Sequence, residues 1–245
     1  MNSFTLLGYF LLGAAGSIEA VANYPQSPCL REAALTMLRG QFHFEAIPNL
    51  FMNEFDAWCQ RLATRLMPLS ELAIEPERIA QAAVTLILRP HADGAEGFVI
   101  KRAEHPRDPW SGHLALPGGR ADATDEDLRA TALREVWEEI GVQLNENALL
   151  GRLPKLVPNN PRLPRIEITP FVAIAPAAFE VAHASAEVAA SFWVSVAALK
   201  AKGMSDKFTM MFDGAERAWP AYPSAGGPIW GITGRILSDF LKLTD

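Results

Sequence analysis

The segment 117–142, PGGRADATDEDLRATALREVWEEIGV, constrains the fold and chemistry of this chain more than any other part of its sequence. Its pattern predicts a helix from about residue 127 to residue 140. At 100° per residue, Glu135, Glu138 and Glu139 fall within one arc of about 100°. Because like charges so close together are costly, this helix face needs a cation beside it.

The other side of the same helix carries Leu133, Val136 and Ile140, at the spacing of a face that packs on a core. The helix therefore has one anchored face and one face rich in carboxylate oxygens, the donors that Mg²⁺ and Mn²⁺ prefer. Gly118 and Gly119 precede the helix, and their missing side chains allow a close approach of the backbone. A solvated acidic face is the alternative for an isolated EVWEE. Here it is disfavoured, because a glycine pair, an arginine and a helix-ending glycine surround the carboxylates.

The remaining pattern alternates short strands with helices. Apolar and β-branched runs predict strands at 81–88, 97–102, 166–175 and 192–194. Pro170 is expected to interrupt the third strand, and residues 91–94 are expected to form a loop. A helical turn over 196–200 and a helix over 233–243 follow. This order predicts an α+β or α/β sandwich with a mixed sheet.

Composition excludes several classes of protein. The 28 acidic residues exceed the 22 basic ones, which gives a net charge of −6. Nucleic-acid binding is therefore not expected, and an anionic substrate needs local cations or a metal. The two cysteines form no CxxC or His/Cys cluster, so neither a zinc site nor a disulfide framework is indicated. A reducing, cytoplasmic location is expected.

The first part of the chain carries no motif. The apolar run over residues 4–18 is shorter than the roughly 20 residues that a membrane-spanning helix needs, so no stable span is predicted. No Lys or Arg precedes this run, which leaves export through an atypical signal as a minor alternative. We interpret residues 1–51 as an apolar extension of unknown role. Residues 52–79 are predicted to hold an amphipathic helix that leads into a domain over 80–245.

A family resemblance is carried by residues 134–142, REVWEEIGV, which are similar to the second half of the Nudix box, R-E-U-x-E-E-x-G-U with U apolar. The first half, G-x5-E-x7-R, fits if Glu126 is its glutamate, although six residues separate it from Gly119. Asp125 is the alternative partner of Arg134. The resemblance implies a Nudix-type α/β/α sandwich with a mixed central sheet and a Glu-rich catalytic helix. The longer box, beginning PGGR, resembles that of coenzyme A pyrophosphatases.

A second motif resembles the same subgroup. Residues 98–119, FVIKRAEHPRDPWSGHLALPGG, are similar to LLTxR(S/A)xxxRxxxGxxxFPGG. Arg102, Arg107 and Gly112 match, whereas Leu116 replaces the phenylalanine and four residues rather than three separate the second arginine from the glycine. Residues 229–233 also resemble the W-G-(L/I)-T segment of these enzymes.

The resemblance implies a hydrolase that needs Mg²⁺ or Mn²⁺ and cleaves a diphosphate in a small nucleotide substrate. Coenzyme A or acyl-CoA is the leading substrate, and ADP-ribose, NADH or another dinucleotide is the alternative. A catalytically silent ligand-binding or regulatory module is the alternative from another class. A homodimer is left open. The expected metal ligands are the carboxylates of Glu135, Glu138 and Glu139 and the carbonyl of Gly119, and the expected catalytic residues are Glu135, Glu139 and Arg134.

Further residues are expected around this site. Guanidinium groups bind phosphate oxygens bidentately, so Arg102 and Arg107 are the best candidates for a phosphate clamp. The other residues predicted to bind substrate or metal are Gly118, Arg120 and, as a possible fourth carboxylate, Glu187. Trp110 is expected to pack rather than to stack on a base, and His113 is expected to be structural.

Overall fold

The structure is a computed structural model that describes residues 54–70, 72–75, 79–105, 110–158, 165–182, 185–212 and 214–244. The predicted extension over residues 1–51 therefore lies outside the described residues. The helices are α1 (Glu54–Ala63), α2 (Leu128–Ile140), α3 (Val196–Lys202) and α4 (Gly231–Leu241). The strands are β1 (Ala80–His91), β2 (Gly94–Arg102), β3 (Leu114–Ala115), β4 (Gly118–Arg120), β5 (Leu149–Arg152), β6 (Ile166–Ile174), β7 (Val188–Ser195), β8 (Asp206–Phe212) and β9 (Ala215–Ala221).

The main sheet is mixed. Its central path runs β3-β2-β1-β6-β5, while β4 pairs with β1 and β7 pairs with β2. Strands β1 and β6 are parallel over nine residue pairs, and the other pairings are antiparallel. The short strand β4 lies beside residues 82–84 of β1, and this pairing places the predicted glycine pair against the middle of the sheet.

Both faces of the main sheet are covered by helices. Alternating residues of β1 explain this, because Leu86 and Leu88 contribute to one buried cluster while Ala83 and Ile87 contribute to the other. The first cluster includes residues of α1, α3 and α4, and the second includes residues of α2. Each fully buried leucine or isoleucine side chain contributes about 1.5–3 kcal/mol to folding. The predicted α/β/α sandwich is confirmed.

Two local expectations about β1, β2 and β6 are wrong. His91 belongs to β1 and Gly94 to β2, so the connection is shorter than the predicted loop. Pro170 does not interrupt β6, which continues in register with β1 past this residue. The carbonyl of Pro170 accepts a bond from Leu153 N at 2.8 Å, so its nitrogen faces the β5 side of the strand and not β1. The missing N–H therefore removes no bond of the β1–β6 pairing.

The hairpin β8–β9 is an element that the sequence analysis missed. Its two strands pair from Asp206 with Ala221 to Phe212 with Ala215 and form a separate two-stranded sheet. The Asp-Gly pair between the strands is a strong hairpin signal that could have revealed it. Within the described part of the chain, no helix is long and apolar enough to span a bilayer.

Candidate active site

Helix α2 presents the acidic face of the site, and its two ends are well defined. The Asp127 carboxylate caps the N-terminus by accepting bonds from Arg129 N at 2.7 Å and Ala130 N at 3.1 Å. Gly141 ends the helix with φ 66°, a left-handed conformation that favours glycine. Val136 and Ile140 are fully buried against the sheet. This packing fixes the direction in which the opposite face points.

Arg134 is the centre of the polar network on this face. Its Nε and Nη2 donate to the two carboxylate oxygens of Asp125, each at 2.9 Å. Its Nη1 donates to Glu135 and to Glu138, also at 2.9 Å each. The sequence left open whether Asp125 or Glu126 pairs with Arg134. In the structure the partner is Asp125, and Glu126 is exposed. Bonding to Arg134 holds the pKa of Asp125 at about 2, below its ordinary value, and the same contact raises the pKa of Arg134.

Glu139 is the buried carboxylate of the site. Only 6% of its surface is exposed, and its Oε2 accepts a bond from Gly118 N at 2.9 Å. Burial raises the pKa of Glu139 to about 7, and the negative charges of Glu135 and Glu187 act in the same direction. The Gly118 bond and the charge of Arg102 oppose this shift. Burial also raises the pKa of Glu135, which is held beside Glu139 on the same helix face.

The glycine pair allows this close arrangement. Gly118 has φ 149°, and a Cβ there would overlap the backbone of Ala83 and Val84. At Gly119, a Cβ would lie 2.5–2.6 Å from the three atoms of the Glu135 carboxyl group. Gly118 has no room for a side chain against β1, and a side chain at Gly119 would displace the Glu135 carboxyl group, so β4 runs directly against both the sheet and the carboxylates.

The remaining predicted residues are distributed around this centre. Arg102 is half-buried at the end of β2, where its charge acts on Glu139. Glu187 is exposed, precedes β7 and also acts on Glu139, while its carbonyl accepts a bond from Ala103 N at 2.7 Å. The side chain of Arg120 is exposed, and its carbonyl accepts from Arg134 at 3.0 Å. Arg107 lies outside the described residues.

The carboxylates do not form a closed metal cluster. Among the residues that the structure describes, no three Asp, Glu, His or Cys side chains converge as a set that could hold an ion. The reason is visible in the hydrogen bonds, because Arg134 draws Glu135 and Glu138 toward itself while Gly118 N holds Glu139. We call Asp125, Arg134, Glu135, Glu138, Glu139 and the glycine pair the carboxylate site.

A group of aromatic rings near Arg102 is the part of this region that the sequence analysis did not foresee. We call it the ring cluster, and its members are Trp110, His113, Phe208, Trp219 and Trp230. Trp230 is stacked on Phe208 at 4.2 Å with an interplanar angle of 9°, and it lies 5.1 Å from His113 and 5.3 Å from Trp219. The ring cluster joins the β8–β9 hairpin to the loop before β3. In that loop, the backbone carbonyl of His113 accepts a hydrogen bond from Arg102 N at 2.9 Å. Trp110 packs in this cluster, 5.9 Å from Trp230.

Comparison with known proteins places this site in a family. Residues 78–213, more than half of the chain, match the NUDIX domain. An uncharacterized Nudix hydrolase, NudL, from Yersinia pestis (strain Pestoides F) is 34% identical over 100 residues, which cover 41% of this chain and 46% of that protein. The match thus spans a little under half of the relative's length.

Two solved structures are similar to this chain at lower identity. A MutT/nudix family protein from Enterococcus faecalis has a TM-score of 0.48 and 18% identity, over 91% of this chain and 76% of that one. A NUDIX hydrolase from Alicyclobacillus acidocaldarius also has a TM-score of 0.48, with 20% identity over 69% of this chain and 93% of that one.

The matched range contains the whole carboxylate site. It begins just before β1, includes the glycine pair and all of α2, and extends into the hairpin. The same range contains the REVWEEIGV segment whose glutamates the structure holds together on one helix face. With this match over more than half of its length, the chain belongs to the Nudix family.

Proposed function

We propose that this protein is a metal-dependent hydrolase of a diphosphate linkage in a nucleoside diphosphate derivative, with coenzyme A or acyl-CoA as its substrate. The products would be adenosine 3',5'-bisphosphate and phosphopantetheine or its acyl derivative. The observation that carries this proposal is the buried Glu139 carboxylate, which Gly118 N holds beside Glu135. Membership of the Nudix family and the name of the hydrolase NudL support the same reaction class.

The donor set of the carboxylate site suits a divalent cation once Glu135 and Glu138 turn from Arg134 toward it. Glu135, Glu138, Glu139 and the Gly119 carbonyl offer hard oxygen donors, the ligands that Mg²⁺ and Mn²⁺ prefer. The space that a Cβ of Gly119 would fill lies directly against the Glu135 carboxyl group, so a side chain there would crowd these donors. When bound, the ion would stabilise charge on a phosphoryl oxygen and acidify a water molecule.

The chain's own groups have separate roles in this proposal. Gly118 N orients Glu139 by a direct hydrogen bond. Arg134 is a positioning residue, because it joins Asp125 to Glu135 and Glu138 and touches no substrate in this scheme. Glu135 and Glu139 are the proposed catalytic carboxylates, and Glu187 is a further carboxylate near them.

The cationic side of the site would bind the substrate. Arg102 is close enough to Glu139 to affect its pKa, so a phosphate held by Arg102 would lie next to the carboxylates. Arg107, Arg120 and the Gly118 backbone complete the proposed substrate contacts. Coenzyme A carries a 3'-phosphate in addition to its diphosphate, and a site rich in arginine would distinguish it from ADP-ribose and NADH.

Hydrolysis assays test the proposal in two steps. A panel of coenzyme A, ADP-ribose, NADH and nucleoside triphosphates is assayed with Mg²⁺, with Mn²⁺ and with excess EDTA. We expect turnover that EDTA abolishes and that either cation restores, and full turnover in EDTA would overturn the metal dependence. No turnover with any substrate would favour a catalytically silent Nudix module.

A second comparison tests the substrate. We expect coenzyme A to be hydrolysed more efficiently than dephospho-CoA, by roughly tenfold or more if a buried arginine contacts the 3'-phosphate. Arg102→Ala should reduce this difference if Arg102 contacts the 3'-phosphate, whereas it should slow both substrates alike if Arg102 holds the diphosphate that they share. Equal hydrolysis efficiency with coenzyme A and dephospho-CoA, or a preference for ADP-ribose, would overturn the coenzyme A assignment. The proposal of a diphosphate hydrolase would not be affected.

A further inference from the structure

An open groove of about 530 Å³ lies between helix α4 and strand β9, away from the residues assigned to the carboxylate site. This volume is within the range of small-molecule sites. One wall is a single face of α4, because its lining residues follow the spacing i, i+4, i+7, i+8 and i+11. They are Gly231, Arg235, Ser238, Asp239 and Lys242, and Trp219 lies on the opposite wall. We call this space the α4 groove.

Trp219 gives the α4 groove an aromatic wall. Its indole lies 5.3 Å from Trp230 at an angle of 36°, so the ring cluster supports the tryptophan on one side. The same residue lines the groove and is partly exposed. An indole supported in this way is a surface on which another planar ring can stack, since stacking on aromatic side chains is tolerant of the identity of the base.

The polar groups of the α4 groove leave Arg235 available to a ligand. The Ser238 hydroxyl donates to the Gly234 carbonyl at 3.0 Å and also contacts the Tyr222 hydroxyl at 2.9 Å. Lys242 is paired with Asp239 at 2.7 Å. Arg235 is exposed, and none of the described residues forms an ion pair with it. A guanidinium fork opposite an aromatic wall favours a ligand that carries both a phosphate and a planar ring.

Gly231 lies at one end of the α4 groove. Its φ is 62°, a left-handed conformation that favours glycine, and a Cβ there would meet no atom within 4 Å. This end directly follows Trp230, which contacts His113, and the carbonyl of His113 accepts a bond from Arg102 N. Packed contacts therefore connect the groove to the cationic side of the carboxylate site.

We propose that the α4 groove binds a nucleoside phosphate, with the base stacked on Trp219 and the phosphate paired with Arg235. The ligand has two possible sources: the part of the substrate remote from its diphosphate, or a separate nucleotide that regulates the enzyme. Binding itself does not depend on the hydrolase activity. Only the choice between the two sources rests on the proposed function.

Titration calorimetry on the full chain in EDTA tests the binding, with AMP as the probe and ribose 5-phosphate as the matched ligand without a base. We expect AMP to bind roughly tenfold or more tightly than ribose 5-phosphate, because stacking requires the base. Arg235→Ala should weaken AMP binding by roughly tenfold or more, as expected for a charged hydrogen bond. Lys202→Ala is the control, because it removes an exposed cation of α3 that does not line the α4 groove, and it should bind AMP as the wild type does.

Trp219 variants provide a second, independent measurement. Trp219→Phe keeps a ring and should retain most of the AMP affinity, whereas Trp219→Leu should lose the preference for AMP over ribose 5-phosphate. If Trp219→Leu fails to fold, the exposed Arg235 still tests the proposal. Absence of AMP binding, or equal affinity in the wild type and in Arg235→Ala, would overturn it.

Kinetics with a hydrolysed diphosphate substrate then distinguish the two sources. If Arg235→Ala raises KM and leaves kcat unchanged, the groove holds the remote part of the substrate. If free AMP changes the rate in the wild type and not in Arg235→Ala, with KM in that variant unchanged, the groove holds a regulatory nucleotide. If the protein hydrolyses no diphosphate but still binds AMP through Arg235, the proposed function is refuted and nucleotide binding in the α4 groove is supported.

Discussion

The carboxylate site and the ring cluster are neighbours that are held together by different forces. In the carboxylate site, charged atoms meet in directed hydrogen bonds of about 2.9 Å, and the partners lie between Gly118 and Glu139 in the sequence. In the ring cluster, aromatic faces and edges pack at centroid distances of 4.2–6.1 Å, and the rings come from the loop before β3, from the hairpin and from the residue before α4.

This difference predicts how each region responds to substitution. A directed bond to a buried carboxylate depends on single atoms, so exchanging one oxygen should be enough to abolish function there. Stacked rings interact over whole surfaces, so a substitution should act in proportion to the area that it removes.

Glu139→Gln should lower the rate of diphosphate hydrolysis by about a hundredfold or more. This estimate follows because changes even to partners outside the metal's own ligands typically cost 10–100-fold. The fold should remain intact, since amide and carboxylate have nearly the same shape and the exchange removes repulsion from Glu135. Steady-state kinetics and thermal unfolding measure the two effects. Turnover equal to that of the wild type would place the metal site elsewhere.

Gly118→Ala should destabilise the protein by about 3 kcal/mol or more, because the added methyl group meets backbone atoms of β1 that cannot move away. Gly214→Ala is the matched control. It also has a positive φ, of 75°, but a Cβ there meets nothing within 4 Å, so its cost should be only about 1–2 kcal/mol. Urea unfolding measures both. Equal losses would show that backbone conformation, rather than the close approach, decides the choice of glycine.

Trp230→Leu should destabilise the protein by about 2 kcal/mol, because it removes a buried ring that contacts Phe208, His113 and Trp219. Trp137→Leu on α2 is the control, since 49% of that side chain is exposed and its loss should cost well under about 1 kcal/mol. Both are measured by chemical unfolding. A smaller effect at Trp230 than at Trp137 would contradict a packing role for the ring cluster.

Asp125→Asn should lower the free energy of unfolding by about 1–2 kcal/mol at neutral pH, through loss of the charged bonds to Arg134. Because the pKa of Asp125 is about 2 in the folded protein and about 3.9 when unfolded, the wild-type pair stabilises fully above about pH 4. That stability is lost as the pH falls toward 2. The acid decline should therefore be smaller in Asp125→Asn, while Glu126→Gln should follow the wild type in unfolding measured across this range.

Much of the carboxylate site could be predicted because its pattern lies in one short segment. The helical repeat of 3.6 residues by itself places Glu135, Glu138 and Glu139 on one face of α2. Gly141 ends the helix where the sequence predicts. The conformation of the loop before α2 could not be read in this way. Asp125 and Glu126 are adjacent carboxylates, and only the folded loop brings the first of them to Arg134.

The sequence by itself determined the mixed α/β sandwich, the helix with its acidic face and the need for glycine beside it, while the resemblance of residues 134–142 implied the Nudix type. The helix face and the glycine pair follow from helical periodicity and from the absence of a Cβ, which are local properties of the chain. Only the tertiary structure decided the burial of Glu139 under Gly118 N, the junction of the hairpin with Trp230 and the α4 groove. These contacts join residues that lie far apart in the sequence. The packing that brings them together is not directional and leaves no periodic pattern in the sequence from which it could be predicted.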